Sequence, residues 1–304
     1  MPYILRSGNS IITFDNEIAR VSGLSPIDAS GGIITTDGST TYHTFLEDGD
    51  FRIFDMDPSM KINVLVVGAG SGANGGQLNM EGGISGGGGG EVVEILDIQA
   101  EVKTYPVIVG LGGAGGAGPT LPANIAYCGY AGGKSWFDDI DASGGLNVGN
   151  YLISSLQNIY GRNGKPSGSG FEGGNYVGTS VTGYLGGGGG GDSSAGINPQ
   201  FATGFPSYLP LILGVGGGGT LSEITGNYYG GGGGGYSNSV NNPAVGGIGG
   251  GGRGAYISGG SYYNGAQGGE ANTGGGAGGG ATRNSLSGNG APGGSGIVVV
   301  SYTI

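Results

Sequence analysis

The sequence predicts a mainly β protein: an antiparallel, jelly-roll-like β-sandwich that carries a bundle of polyglycine II helices and has very little α-helix. Two observations support this fold class. The apolar runs at 61–67 (KINVLVV) and 297–303 (IVVVSYT) are short and dense, which is typical of strands covered on both faces. Between them the chain repeatedly breaks into unbroken runs of glycine, which accounts for 81 of the 304 residues.

The glycine runs favour polyglycine II over the two other structures that such a composition suggests. Collagen needs glycine at every third position and abundant proline, whereas these runs are unbroken and the chain has only 12 Pro. Disorder goes with few aromatic residues, whereas the chain has 17 Tyr and 8 Phe. In polyglycine II, with three residues per turn, neighbouring chains without Cβ atoms can satisfy each other's N–H and C=O groups. The segment 112–118 (GGAGGAG) has this period, which places Ala114 and Ala117 on the same side of such a helix.

The sandwich is predicted from a series of short apolar segments. Residues 42–55 read as a hairpin, because Asp48-Gly49 is a strong turn signal between two such segments. Two later segments, 91–96 and 102–110, read as a further strand pair. Together these patterns predict about seven strands, at 42–46, 51–55, 61–67, 91–96, 102–110, 134–141 and 297–303.

The chain divides into three predicted regions. Residues 1–37 form an N-terminal arm, either an attachment segment for a larger assembly or lead-in strands that pack on the same domain. Residues 38–143, completed by 292–304, form the sandwich. Residues 144–291 form the glycine-rich excursion, in which only 151–160 (YLISSLQNIY) shows a helical period.

A dinucleotide-binding site is not expected, although VLVVGAGSGA resembles its fingerprint. That fingerprint requires a helix after the glycines. The residues that follow Gly70 are instead rich in glycine, which disfavours a helix by about 1 kcal/mol per residue relative to alanine. We therefore expect no cofactor.

Catalysis is not expected either. His43 is the only histidine and Cys128 the only cysteine, so a zinc site and an internal disulfide lack partners. A catalytic triad would have to use His43, and nothing in the segment YHTFL around it indicates an exposed nucleophile. Acidic residues cluster at 47–57 and at 138–141. They could bind calcium or serve as paired acids for glycoside hydrolysis, but aspartates at turns mostly cap the local backbone. We expect no metal and no enzyme activity.

The net charge of −11 argues against nucleic acid and anionic membranes as partners. The N-terminus lacks the pattern of a secretory signal, and no apolar segment approaches the roughly 20 residues of a membrane span. We expect a protein that is made and folded in a cytosol.

Tyrosine provides the most specific functional signal. Tyr, Ser, Gly and Asn dominate the linkers between the glycine runs, and the same residues dominate antibody binding loops, where rigid aromatic rings give contact area at a low entropic cost. The alternative is that the rings pack over the glycine helices in place of a core. The candidate binding residues are Tyr176, Tyr184, Tyr208, Tyr228, Tyr229, Tyr236, Tyr256, Tyr262 and Tyr263.

An ordered set of segments resembles the glycine-rich domain of bacteriophage tail fibres and tail-tip adhesins. The set comprises YHTFLEDGDFRI, KINVLVVGAGSG, GGGGGEVVEILDI, VIVGLGGAGGAG, GKSWFDDIDASGG and GAPGGSGIVVVSY, and it spans about residues 42–302. The chain departs from whole fibres because it has no long shaft or coiled coil. The resemblance implies a virion protein whose loops recognise a receptor, and a homo-oligomer with a trimer as one candidate.

We therefore expect a tail-associated adhesin of the virion, synthesised in the host cytoplasm. It would bind a host glycan or outer-membrane protein, and its N-terminal arm would contact other virion proteins. The alternative is a purely structural component of the capsid, tail or baseplate. Ice binding is a weaker third hypothesis, because the chain lacks regularly spaced threonines.

Overall fold

The computed structural model describes residues 4–7, 10–15, 18–22, 27–75, 82–117, 129–146, 167–175, 177–179, 183–201, 210–240, 242–258, 262–283, 286–287 and 289–304. Every regular element in these ranges is a β-strand, which confirms the predicted mainly β class. Residues 151–160, with their helical period, lie outside the described ranges. Within those ranges no helix has the length and apolar character needed to cross a membrane.

The strands in chain order are β1 (Ile4–Ser7), β2 (Ser10–Asp15), β3 (Ile18–Ser22), β4 (Ile27–Ser30), β5 (Ile33–Asp37), β6 (Thr40–Phe45), β7 (Gly49–Met56), β8 (Lys61–Val67), β9 (Gly82–Gly83), β10 (Val92–Gln99), β11 (Thr104–Ile108), β12 (Ser135–Phe137), β13 (Ile140–Ala142), β14 (Val177–Thr179), β15 (Gly183–Leu185), β16 (Gln200–Phe201), β17 (Pro210–Ile212), β18 (Thr220–Leu221), β19 (Tyr228–Tyr229), β20 (Ser237–Val240), β21 (Tyr256–Ser258), β22 (Tyr262–Asn264), β23 (Ala281–Arg283), β24 (Leu286–Ser287) and β25 (Ile297–Thr303).

Two five-stranded antiparallel sheets form the sandwich. Sheet I has the order β10-β8-β25-β6-β5, and sheet II has the order β13-β12-β11-β7-β4. Their inner faces share one core, in which Phe51 and Ile53 of sheet II lie with Val64, Val66 and others of sheet I, all almost fully buried. The first three strands of the chain form a separate antiparallel sheet, β1-β2-β3.

The two apolar runs that enclose the glycine-rich region are neighbours in the middle of sheet I. Strand β25 pairs with β8, and Val299 stands opposite Leu65. One face of this pair fills the sandwich core, while Leu65, Val67 and Val299 on the other face pack against Tyr229. The strands are apolar throughout because both of their faces are buried.

The predicted hairpin at 42–55 is wrong, because β6 and β7 belong to different sheets. The turn between them carries the chain across the sandwich rather than back along one sheet. Two rings that flank the turn meet within the core, where His43 and Phe51 contact each other edge-on with centroids 4.9 Å apart. The predicted pairing of 91–96 with 102–110 is wrong for the same reason, since β10 lies in sheet I and β11 in sheet II.

The structure moves the predicted boundary between arm and sandwich. Strands β4 and β5 fall within the predicted arm of residues 1–37, yet they pair with β7 and β6 of the sandwich. Ile27 is 2% exposed and belongs to the core. The sandwich therefore begins at Ile27.

The glycine segments hydrogen-bond to one another with a repeat of three residues. Successive N–H groups of segment 68–73 donate to different neighbours, and every third group returns to the same one. Gly68 and Ser71 donate to segment 88–91, Ala69 and Gly72 to segment 130–133, and Gly70 and Ala73 to segment 291–294. Polyglycine II likewise has three residues per turn. Ala114 and Ala117, which the three-residue period places on one side of the helix, are both exposed.

Candidate functional site

The hydrogen bonds between glycine segments also give the direction of each segment. In segment 186–192, residues 186, 189 and 192 donate to residues 236, 233 and 230 in turn, so this segment and 230–236 are antiparallel. Segment 249–255 is parallel to segment 274–280, because residues 252 and 255 donate to 276 and 279. Since the segments at 68, 90, 110, 133 and 296 join directly to sandwich strands, each direction can be stated relative to the sandwich.

The bundle therefore has two ends, a junction end beside the sandwich and a distal end away from it. The chain runs outward along 68–75, 110–117, 168–175, 194–198, 230–236, 249–255 and 274–280, and inward along 85–90, 129–133, 186–192, 214–219, 244–248, 265–270 and 289–296. The distal connections contain four small sheets: β14-β15, β16-β17, β20-β21-β22 and β24-β23-β9. The hairpin β18-β19 lies at the junction end.

This arrangement separates the candidate tyrosines. Tyr184, Tyr236, Tyr256, Tyr262 and Tyr263 belong to the distal end, whereas Tyr228 and Tyr229 belong to the junction hairpin. Tyr176 and Tyr208 lie outside the described residues. The sequence could not distinguish the two ends, because it does not show which segments run in which direction.

At the distal end, tyrosines concentrate on the sheet β20-β21-β22. Tyr256 pairs with Asn264, Ile257 with Tyr263, and Ser258 with Tyr262. The ring of Tyr256 is half-buried, and the Arg253 guanidinium lies over it at 4.8 Å from the ring centroid. Tyr236, at the end of its glycine segment, is buried at 6% exposure, so its ring is not on the surface in this structure.

At the junction end, Tyr228 and Tyr229 have opposite environments. Tyr228 is 45% exposed and Tyr229 is 6% exposed. The ring of Tyr229 packs on Leu65, Val67 and Val299, and its hydroxyl accepts a hydrogen bond from Thr225 Oγ1 at 3.1 Å. Tyr229 thus covers the outer face of sheet I, as the packing alternative predicts.

Glu94 fixes the junction hairpin to the sandwich, a role that the sequence did not reveal. Its carboxylate accepts hydrogen bonds from Ser222 Oγ at 2.7 Å, from the Ile224 N–H at 2.8 Å and from the Glu223 N–H at 3.0 Å. Nothing in the local sequence around Glu94 indicates that it pairs with Ser222, which lies 128 residues later in the chain. Only the fold brings the two together.

Asp192 is a second carboxylate at the junction that the sequence did not single out. Its Oδ1 accepts the Val92 N–H at 3.0 Å, and its Oδ2 accepts the Thr220 hydroxyl. Burial raises the pKa of Asp192, and the hydrogen bonds from Thr220, Val92 and Ser169 oppose that shift in part. Asp192 therefore connects segment 186–192 with β10 and β18 at a cost in desolvation.

Across residues 47–303 the sequence matches the family model described as a glycine-rich domain. The chain belongs to the glycine-rich domain family. The match extends from the turn before β7 into β25, so it includes the glycine bundle and most of the sandwich. No curated protein matches this chain.

His43 occupies a structural position in this glycine-rich domain. Its ring is fully buried, with Nδ1 2.8 Å from the Gly31 carbonyl oxygen and Nε2 3.1 Å from the Tyr302 hydroxyl. Nδ1 therefore donates to the carbonyl, and neutral Nε2 accepts from the hydroxyl. Burial lowers the pKa of His43, and the bond to Gly31 opposes this shift.

The acidic turns of the glycine-rich domain cap backbone groups. Asp48 Oδ1 accepts the Val109 N–H at 2.9 Å, and Asp57 Oδ1 accepts the Ser59 N–H at 2.9 Å. Within the described residues, no group of three or more His, Cys, Asp and Glu side chains is arranged to bind a metal ion.

Proposed function

We propose that this glycine-rich domain is a bacteriophage virion protein, a tail-associated adhesin that binds a host-surface glycan or outer-membrane protein without covalent chemistry. The single observation that carries the proposal is the position of two tyrosine-bearing sheets, β14-β15 and β20-β21-β22, at the distal end of the bundle. The resemblance of the ordered segments to tail-tip adhesins supports the same function, and the family match adds only that the domain is glycine-rich. The N-terminal arm would contact other virion proteins.

The architecture suits non-covalent recognition. Each distal hairpin emerges from two glycine segments that are hydrogen-bonded to several neighbours, so the bases of the hairpins are held in fixed positions. Fixed positions reduce the entropy lost on binding. Tyrosine, serine and asparagine on the hairpins then provide aromatic contact area and adaptable hydrogen bonds. Sugar hydroxyls or a protein surface would be suitable partners.

A purely structural virion component is the second candidate, and a specific observation favours it. Tyr229 and Tyr236 are buried, and the ring of Tyr256 lies under Arg253. Tyrosine enrichment is therefore explained in part by packing. In this alternative the domain assembles stoichiometrically with another virion protein and has no affinity for cells.

The two candidates can be separated by cell binding. Fluorescently labelled chain is incubated with host cells, and bound label is measured by flow cytometry. Tyr262→Ala combined with Tyr263→Ala should weaken binding about tenfold, roughly 1.4 kcal/mol. The control is Tyr228→Ala, which removes an exposed ring at the junction end and should leave binding unchanged. Both variants should melt near the wild-type temperature.

Absence of wild-type binding, or equal binding by all three proteins, would contradict the adhesin proposal. Immunolabelling of intact particles in the electron microscope gives an independent result. Label at the distal end of the tail supports the adhesin, and label over the capsid or baseplate supports the structural component.

A further inference from the structure

The two sheets of the sandwich have four edge strands, β5 and β10 in sheet I and β4 and β13 in sheet II. An edge strand presents unpaired N–H and C=O groups, and proteins usually protect it with charges, bulges or a short length. The four edges differ sharply in this respect.

Three of the edges carry such protection. Strand β10 contains an irregularity between Ile95 and Ile98, where Asp97 has a positive φ of 59°. Strand β4 has four residues and an irregularity between Asp28 and Ala29. Strand β13 has only three residues, with Asp141 at its centre.

Strand β5 has no irregularity, and its only charged residue, Asp37, stands at its end. Its sequence is IITTD, it pairs with β6 without any register shift, and all five residues are exposed. Ile33 is 56% exposed and Ile34 is 51% exposed. Ile34 stands opposite the buried His43, so it belongs to the inner face of sheet I, yet about half of its surface remains exposed. A regular, β-branched, uncovered edge is suited to pairing with another strand.

The chain itself contains a strand that fits this edge. Strand β3, IARVS, also has five residues and lies at one edge of the N-terminal sheet among the described residues. The first 22 residues carry no net charge, because Arg6 and Arg20 balance Asp15 and Glu17. The net charge of −11 therefore belongs entirely to the rest of the chain, residues 23–304. The neutral N-terminal sheet of one copy can approach residues 23–304 of another copy without the electrostatic repulsion that would act between the acidic parts of two copies.

We propose that β5 is the docking edge for strand β3 of a second copy of this chain. In an antiparallel register of five residues, Val21 stands opposite Ile34 and Arg20 opposite Thr35, two residues from Asp37. The contact adds the N-terminal sheet of one copy to sheet I of the next. It joins two different surfaces, so it is heterologous, and such contacts close into rings when the rotation permits. The proposal does not depend on receptor binding.

The first test is the mass of the full-length chain by light scattering after gel filtration, across a range of concentrations. We expect an oligomer for the wild type and a monomer for Ile34→Lys, since lysine on an edge prevents strand pairing. The matched control is Leu96→Lys, which places the same charge on β10, where Leu96 is 44% exposed. The control should remain oligomeric. A monomeric wild type, or an Ile34→Lys variant that stays oligomeric, overturns the proposal.

The second test identifies the docked strand by charge reversal. Arg20→Glu should raise the apparent dissociation constant about tenfold because it places an acid near Asp37. Combining it with Asp37→Arg should restore association. If Arg20→Glu leaves association unchanged while Ile34→Lys abolishes it, a strand other than β3 docks on β5, and the proposal is wrong about its occupant.

Discussion

Gly233 lies in segment 230–236, which is surrounded by other glycine segments that hydrogen-bond to it. Replacing Gly233 with alanine therefore tests the packing of the whole bundle. Its N–H donates to the Gly87 carbonyl at 2.8 Å, and its carbonyl accepts the Gly189 N–H at 2.8 Å. A Cβ at this position would overlap the carbonyl group of Ala277. The obstacle is backbone, which cannot rotate away as a side chain can.

The cost of Gly233→Ala follows from the hydrogen bonds that must be broken. Restoring ordinary contact of at least 3.4 Å to Ala277 requires one segment to shift. The shift breaks the two hydrogen bonds that join Gly233 to Gly87 and Gly189, and each such bond broken between buried groups costs about 1–3 kcal/mol. We therefore expect a loss of about 2–6 kcal/mol, against a typical total of about 5–15 kcal/mol. For a chain of 304 residues the melting temperature should fall by roughly 3–9 °C.

The assay is urea unfolding followed by circular dichroism, with Gly218→Ala as the matched control. A Cβ on Gly218 would meet nothing closer than Ser193 Oγ at 3.4 Å, which is ordinary contact. Gly218→Ala should be neutral or should stabilise the protein by about 0.4–1 kcal/mol through the unfolded state. If the Gly233→Ala variant is as stable as the Gly218→Ala variant, the inference that the backbones of these segments are in close contact is wrong.

Three further predictions concern buried and capping groups. Because the pKa of Asp192 is raised in the fold, its contribution to stability is present in acid and is lost as pH rises through that pKa. In Asp192→Asn the amide oxygen can accept the Val92 N–H and the amide NH2 can donate to the Thr220 hydroxyl, so the variant should gain thermal stability over the wild type between pH 4 and pH 7.5. Because the pKa of the single histidine His43 is lowered in the fold, the free energy of unfolding should fall as pH drops below about 6.5. In thermal melts across this pH range, His43→Gln should remove the part of the pH dependence that comes from His43. Glu94→Ala removes the acceptor of three hydrogen bonds, so proteolysis between 221 and 227 should accelerate. Unchanged cleavage would show that Tyr229 and Asp192 hold the hairpin without Glu94.

The sequence predicts the strands of the sandwich better than their pairing. The runs at 61–67 and 297–303 are strands as expected, because dense apolar residues require burial on both faces. The sheet assignment of β6 and β7 was missed because a short Asp-Gly turn occurs both in hairpins and in connections between sheets. What decides between them is the packing of His43 on Phe51 across the core, which no local pattern encodes.

The candidate site was also predictable only in part. The three-residue period of glycine and alanine anticipates the repeat of the hydrogen bonds and the exposed line of Ala114 and Ala117. It does not reveal the direction of each segment, so Tyr228 and Tyr262 could not be assigned to opposite ends. The caps made by Glu94 and Asp192 depend on contacts over 100 or more residues, which a single sequence does not show.

The three-residue hydrogen-bond repeat constrains how the length of this domain can change during evolution. Inserting one or two residues into a glycine segment rotates every later N–H group towards the wrong neighbour. Inserting three keeps each group facing its own neighbour and lengthens the segment by one turn, about 9 Å at 3.1 Å per residue. Length variation in the bundle should therefore occur in multiples of three residues. A whole turn can be added to or removed from a pair of adjoining segments, and the hairpin they carry is moved outward or inward with its orientation preserved.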